Sequence, residues 1–389
     1  MKLGPVAVPS VRLAPEGQET ASRKRGEPRP KIREASLADY PQIAALHIRN
    51  GLPIEPRDDW NSLWSANPAF RKGWPIGWVA ETERHGIVGS LGNVPQDYRF
   101  EGRELHAAAS RGWVTDASYR GYSMALRANF LAQREVDLFI STSVGRMAEA
   151  CYRFFGCSRV PVGEWDRSEF WIANHRQFAS WALKMGSVPL PAPLGYPLSL
   201  TLRCREWWVN PRRRTAPEFH LELHTGFDAA FDDFWRELTT QNKSVLTAVR
   251  TREALGWHFR RSLARKEAWI FTASVRDRMV AYAVFDRRDS VDGGLRRVRL
   301  VDFQALNGYQ NALAAALDFA LSECRRDEVH LLESTGCLAS RVDPAIHAPY
   351  RRKLPSWTYY YKAGTARLSN ELANPAVWAP SQFDGDVAL

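Results

Sequence analysis

The segment Trp113-Val-Thr-Asp-Ala-Ser-Tyr-Arg120-Gly121-Tyr122-Ser123-Met124-Ala125-Leu126 reads as strand, short loop and helix. A helix start presents unpaired N–H groups and a partial positive charge. Small residues at Gly121, Ser123 and Ala125 let an anion come close to that backbone, which is how a diphosphate is held without a metal. Arg120 adds a charged donor at the rim. The bland alternative is a plain helix start with a small-residue packing face. The strand before and the helix after favour the phosphate.

The surrounding pattern supplies elements to position this loop. Lys31–Ala35 reads as a strand, followed by a helix capped by Ser36 with Asp39 in its first turn and Ile43 and Leu46 at helical spacing. Trp78–Glu83 and Gly86–Val94 form a hairpin, and Leu105–Thr115 a further strand. Gly121–Gln133 is helical, Asp137–Ser143 is a strand, and Arg146–Phe155 is a helix carrying Met147, Cys151 and Phe154 on one face until Gly156 ends it. The second half repeats this order. Phe219–Leu223, the hairpin Ala268–Val275/Met279–Asp286, Arg296–Phe303, a helix through Leu313 and Cys324, and Glu328–Glu333 follow their counterparts at offsets of 189–191 residues. Trp357–Lys362 is a last strand. The spacing predicts an internal duplication, hence an α+β fold of two tandem lobes, each a mixed, mostly antiparallel sheet flanked by helices. The expected divisions are a mobile tail (1–30), lobe one (31–185), a Pro-rich linker (186–217), lobe two (218–365) and a C-terminal tail (366–389). Trp378 and Phe383 in that last tail are expected to dock on the body.

At these residues the sequence resembles the GNAT (Gcn5-related N-acetyltransferase) superfamily, whose acyl-CoA motif reads Arg/Gln-x-x-Gly-x-Gly/Ala. Here it is Arg120-Gly121-Tyr122-Ser123-Met124-Ala125, with Ser123 where Gly is usual. Tyr152-Arg-Phe-Phe-Gly156-Cys resembles the family's later Tyr-x-x-x-Gly-Phe segment. The resemblance spans about residues 31–175. The second lobe's Phe303-Gln-Ala-Leu-Asn-Gly308-Tyr lacks the Arg and two small positions, so that lobe is expected to be a degenerate copy lining a substrate groove. The resemblance implies acetyl-CoA or another acyl-CoA as co-substrate, bound at 120–125, without a metal. It implies direct transfer, with the thioester carbonyl against backbone N–H groups near Trp113, Val114 and Thr115, and Tyr152 protonating the leaving thiolate. The family often places a Glu base where Ser110 or Gly112 stands here. Glu81, His106 and Asp116 are candidate replacements, and a water relay is the alternative. Tyr152 as a core aromatic and His106 as an ordinary surface histidine are the competing readings.

The whole-chain numbers bound the function. The chain has 389 residues, 45% hydrophobic and 25% charged, which is globular composition. No run of 18 apolar residues implies a membrane span, and no leader pattern opens the sequence, so a cytoplasmic protein is expected. Five scattered cysteines without a CxxC pair support neither a disulfide framework nor a zinc site. A net charge of +10 suits anionic partners without choosing one. Fifteen Trp, among them Trp60, Trp64, Trp74, Trp257 and Trp357, suit a groove for a sugar or apolar chain, or simply a core. Arg351-Arg352-Lys353 is a further candidate contact for an acidic substrate. The expected partner is a small-molecule or glycan-type amine acceptor. Two other functions fit: an aminoacyl or peptidyl transferase resembling the tandem FemAB enzymes, with tRNA as partner, and a non-catalytic binding module on the same scaffold. The oligomeric state is not readable.

Overall fold

The computed structural model describes residues 29–163, 165–185, 199–202, 204, 219–290, 294–341, 349–354, 358–386 and 389. The expected tail 1–30 and linker 186–217, with Trp207, Trp208 and Arg212–Arg214, lie almost wholly outside the described residues, as does Trp357.

The chain opens with β1 (Lys31–Glu34), α1 (Tyr40–Arg49) and α2 (Arg57–Ser65). The Asp39 carboxylate accepts the Ser36 N–H at 2.8 Å, so the helix entrance is held as the sequence indicates. The long hairpin β2 (Gly77–Thr82)/β3 (Gly86–Phe100) and β4 (Arg103–Thr115) follow. A 3₁₀ turn over Ala117–Tyr122 then runs into α3 (Ser123–Leu131), and β5 (Leu138–Val144), α4 (Glu149–Phe154) and the short β6 (Ser158–Arg159) complete the first set. Next come β7 (Arg167–Ile172), α5 (His175–Met185), β8 (His220–His224), α6 (Ala229–Gln241) and the two-residue β9 (Thr247–Ala248). Two short helices, Arg252–His258 and Arg260–Ala264, lead to β10 (Ala268–Val275), β11 (Arg278–Arg287) and β12 (Arg297–Ala305). The chain ends with α9 (Ala312–Arg326, the two short helices counting as α7 and α8), β13 (Leu331–Thr335), β14 (Tyr350–Lys353), β15 (Thr358–Ala363) and α10 (Ala366–Leu372).

Two sheets result. The first has the order β1-β2-β3-β4-β5-β15-β6, with β9 alongside β3; the second has the order β14-β7-β13-β12-β11-β10-β8. Each contains one parallel pair, β4–β5 and β12–β13, among antiparallel neighbours. The orders β1-β2-β3-β4-β5 and β8-β10-β11-β12-β13 are compatible with the expected repeat.

The divisions at 185 and 218 do not follow the sheets. β15, from the last part of the chain, lies on β5 in the first sheet, and β7, from the first half, lies on β13 in the second. Each parallel strand is covered by a strand from the other half. One hydrophobic core accordingly runs through both halves, from Ile43, Leu46 and Trp64 to Phe231, Trp235 and Leu317. A smaller one, around Trp78, Leu126, Phe130 and Phe139, lies under α3.

The C-terminal residues dock, as Trp378 and Phe383 suggest; both are buried. Trp378 Nε1–H donates to the Leu372 carbonyl at 2.7 Å. The tail then follows β12 past the point where its ladder with β13 stops at Leu300/Ser334: the Gln382 N–H donates to the Val301 carbonyl at 3.0 Å. Beyond that it reaches the first sheet, where Gly385 exchanges hydrogen bonds with the Gln96 side chain and Thr142 Oγ1 donates to Asp386.

One face is assigned wrongly by the local pattern. Met147 and Phe154 are exposed, and Tyr152 and Cys157 are the buried residues of that segment. Met147 lies on a 3₁₀ turn before the six-residue α4, and the two positions left on that helix do not fix which side meets the body.

Candidate active site

The site is built at the carboxyl ends of the parallel pair in the first sheet. β4 and β5 are paired from Ala107/Leu138 to Ala109/Ile140 and then part, although both strands continue. The cause is a bulge in β4: Ser90 faces Val114 and Gly92 faces Arg111, so Gly112 and Trp113 together oppose Leu91. Gly112 has φ +58, and a Cβ there would lie 2.6 Å from His47 Cε1, so only glycine fits. At the mouth of the opening Ser110 Oγ and Ser141 Oγ are 2.5 Å apart.

The loop beyond β4 is a 3₁₀ turn rather than an open cradle. The Tyr119 N–H donates to the Asp116 carbonyl and the Ser123 N–H to the Arg120 carbonyl. The amides left without helical partners by position are those of the first residues, Ala117 and Ser118. These two, Arg120 and Gly121 are exposed. A Cβ on Gly121 would meet nothing within 4 Å, so there is space over that backbone. Ser123 turns inward, its Oγ 2.8 Å from Thr115 Oγ1, and ties the helix start to the end of β4. Val114 packs its side chain into the large core, while Tyr122 at the end of the turn and Met124 and Ala125 on α3 are half-buried.

Tyr152 reaches this opening from α4. Its hydroxyl accepts a hydrogen bond from the Arg127 guanidinium of α3. Arg127 is itself buried, with its charged carbon 4.6 Å from the Trp113 ring centroid and 4.2 Å from that of Tyr152. Trp113, Arg127 and Tyr152 thus lie together on the α3–α4 side of the parted strands, the two rings edge to face at 6.0 Å. Cys151 and Cys157 flank them; burial pushes both thiols up, so neither is a ready thiolate.

The three candidate bases do not gather here. Glu81 sits two strands away on β2, paired with Arg33 at 2.7 Å, and the hydrogen bond from Arg33 holds its carboxyl below the usual range. Asp116 clamps the end of α1: Arg49 approaches at 2.7 Å and Asn50 Nδ2–H donates at 2.8 Å. Partial burial pushes the Asp116 carboxyl up, but those hydrogen bonds outweigh it and hold it down. His106 is at the far end of β4, six residues or roughly 20 Å from the bulge at strand rise. Its Nδ1 lies 2.9 Å from Asp97 Oδ1. With Asp97 and Glu104 it forms a group of three potential ligand atoms, already engaged by Arg71 and Arg99. The imidazole that does lie against the bulge is His47, on α1, which burial keeps neutral by pushing its pKa down.

Arg127, His47 and the Gly112 bulge are the site features that sequence reasoning missed. A glycine inside a strand is itself a bulge signal, so Gly112 was within reach. Arg127 gave none, because a charged residue in a helix reads as solvent-facing.

The other candidates resolve as structure. Trp60, Trp64 and Trp257 are core residues, and Trp74 is half-buried. Arg351 pairs with Glu169, Arg352 with Glu333 and Lys353 with Asp166. Between the lobes, a cavity of about 70 Å³ is lined by Pro95, Gln96 and Asp97 from one side and Val249, Trp257 and Phe383 from the other. Among the described residues no helix is long and apolar enough to cross a membrane.

No protein-family model and no curated protein matches the sequence. Solved structures do match in shape. A GCN5-related N-acetyltransferase from Anabaena variabilis aligns with a TM-score of 0.53 at 12% identity, covering 87% of this chain and 73% of that one. A conserved protein from Enterococcus faecalis described as a probable N-acyltransferase aligns with 0.53 at 13%, covering 86% and 72%. Saccharomyces cerevisiae N-myristoyltransferase with bound myristoyl-CoA aligns with 0.50 at 9%, covering 86% and 79%. The chain has the GNAT fold, in a two-lobed form.

Proposed function

We propose that this protein is a cytoplasmic acyl-CoA-dependent N-acyltransferase, with acetyl the expected acyl group. Lobe one takes the donor, and the acceptor is a small-molecule or glycan-type amine. The observation that carries this reading is the parting of β4 from β5 at the Gly112 bulge, directly beside an exposed turn with space over Gly121. That combination offers a thioester arm a strand edge and offers a diphosphate free amides and Arg120. The amine attacks the thioester carbonyl, the C–N bond forms as the C–S bond breaks, and Tyr152 gives its proton to the sulfur. Glu81 and Asp116 are held in ion pairs elsewhere and His106 is hydrogen-bonded to Asp97, so the base is assigned to water or to a group that the acceptor brings near His47.

The experiment is a melting-temperature series with CoA, acetyl-CoA and longer acyl-CoAs, followed by thiol release with an amine panel. A ligand present at about 100 times its Kd stabilises by about 2.7 kcal/mol, a shift of several degrees. No shift with any acyl-CoA at saturation removes the reading. A shift without turnover for any amine supports the second reading, a binding module on the same scaffold, which the dispersal of the three candidate bases favours.

A further inference from the structure

Arg127 lies on α3 four residues after Ser123, on the same stripe as the start of that helix. Its exposure is 1%. Among the described residues its partners are the Tyr152 hydroxyl and the rings of Trp113, Phe130 and Tyr152. Its Nε has no hydrogen-bond partner. Among the described residues no carboxylate pairs with it, whereas Arg250, equally buried, sits between Asp302 and Asp384. Burying a charge without a counter-charge is costly, and an apolar side chain of similar length would fill the same space. A position that gives up stability in this way, beside the parted strands, is a functional one.

The chemistry of the pair says which function. A guanidinium only donates, so its bond occupies a lone pair of the phenolic oxygen and turns the phenol's own proton away from Arg127. A phenolate formed there would lie against a fixed positive charge in a site shielded from water. We infer that Arg127 is the positioning residue for proton donation in acyl transfer: it orients the Tyr152 hydroxyl toward the leaving sulfur and holds the phenolate that results. This rests on the acyltransferase reading above. The step balances: the amine nitrogen bonds to the acyl carbon, the C–S electron pair leaves on sulfur, and sulfur takes the Tyr152 proton. The proton lost by the amine passes through solvent and restores the phenol.

The test uses the full chain, acetyl-CoA and whichever panel amine supports turnover. R127M is expected to lower kcat by about 30-fold or more with KM for acetyl-CoA changed less than about 3-fold, as for an interaction made in the transition state. Y152F is expected to lose a similar factor, and R127M/Y152F no more than the worse single variant, because the two act as a unit. The double variant should melt no lower than wild type, since charge and hydroxyl leave together. R127Q keeps a donor without the charge and is expected to fall between. Wild-type kcat in R127M overturns the inference, and so do losses that multiply in the double variant. Should R127M not fold, wild-type kcat in R127Q overturns it. Wild-type protein that no acyl-CoA stabilises removes the acyltransferase reading, and this inference with it.

Discussion

His258 is enclosed by Trp257 and Phe259 and stacks on Phe383 at 4.1 Å between ring centroids. Burial pushes its pKa down from 6.5 to about 3. Unfolded chain therefore binds more protons than folded chain between those two values, and stability falls as pH is lowered through that window. His47 and His330, also pushed down by burial, act in the same direction. Glu333 adds a lower window: burial alone would raise its carboxyl, but Arg299, Arg352 and Arg297 bring it from 4.5 to about 2. Asp384 and Asp386, pushed up by burial, oppose this above pH 3.8. The expected outcome for H258F is a shallower loss of stability across the whole window from about pH 6.5 down to about 3. Urea midpoints at half-unit pH steps check it; parallel curves for the two proteins would show that His258 is not titrating on unfolding.

The bulge in β4 is the element on which the site depends. G112A forces a left-handed backbone on a residue with a side chain and drives its Cβ into His47. A loss of about 2 kcal/mol or more is expected in denaturant midpoints, with G112A/H47A recovering only the share due to the clash. A G112A loss below about 0.5 kcal/mol would mean that the strand straightens without cost. The hairpins, the parallel pair and α9 were legible because alternation and helical spacing persist over many residues there. β6, β7, β9 and β14 were not, since two to six residues carry no period that a loop lacks. The start of α3 was legible as a motif, but its 3₁₀ winding was not, and neither was the burial of Arg127. That burial is imposed by α4, whose orientation no local pattern encodes.

At the scale of the molecule, each sheet holds a strand from the other half of the chain. A fragment of residues 31–185 lacks β15, so β5 and β6 lose the strand between them. It is expected to be unfolded or aggregated by circular dichroism and size-exclusion chromatography, whereas the full chain should melt in one calorimetric transition, because one core joins both halves. Two separated transitions would contradict this. Trp378→Ala, in the docked tail, is expected to cost about 3–5 kcal/mol, within the range for deleting a buried aromatic, and to lower that single transition as a whole.

The strand exchange also bears on how the chain is made. A ribosome releases β5 well before β15, and residues 145–357 intervene. During that interval the outer edge of β5 has no strand to pair with, and an open, apolar sheet edge invites other chains. The nascent protein is thus most exposed to aggregation while its second half is being synthesised, and the arrival of Thr358–Ala363 closes that interval.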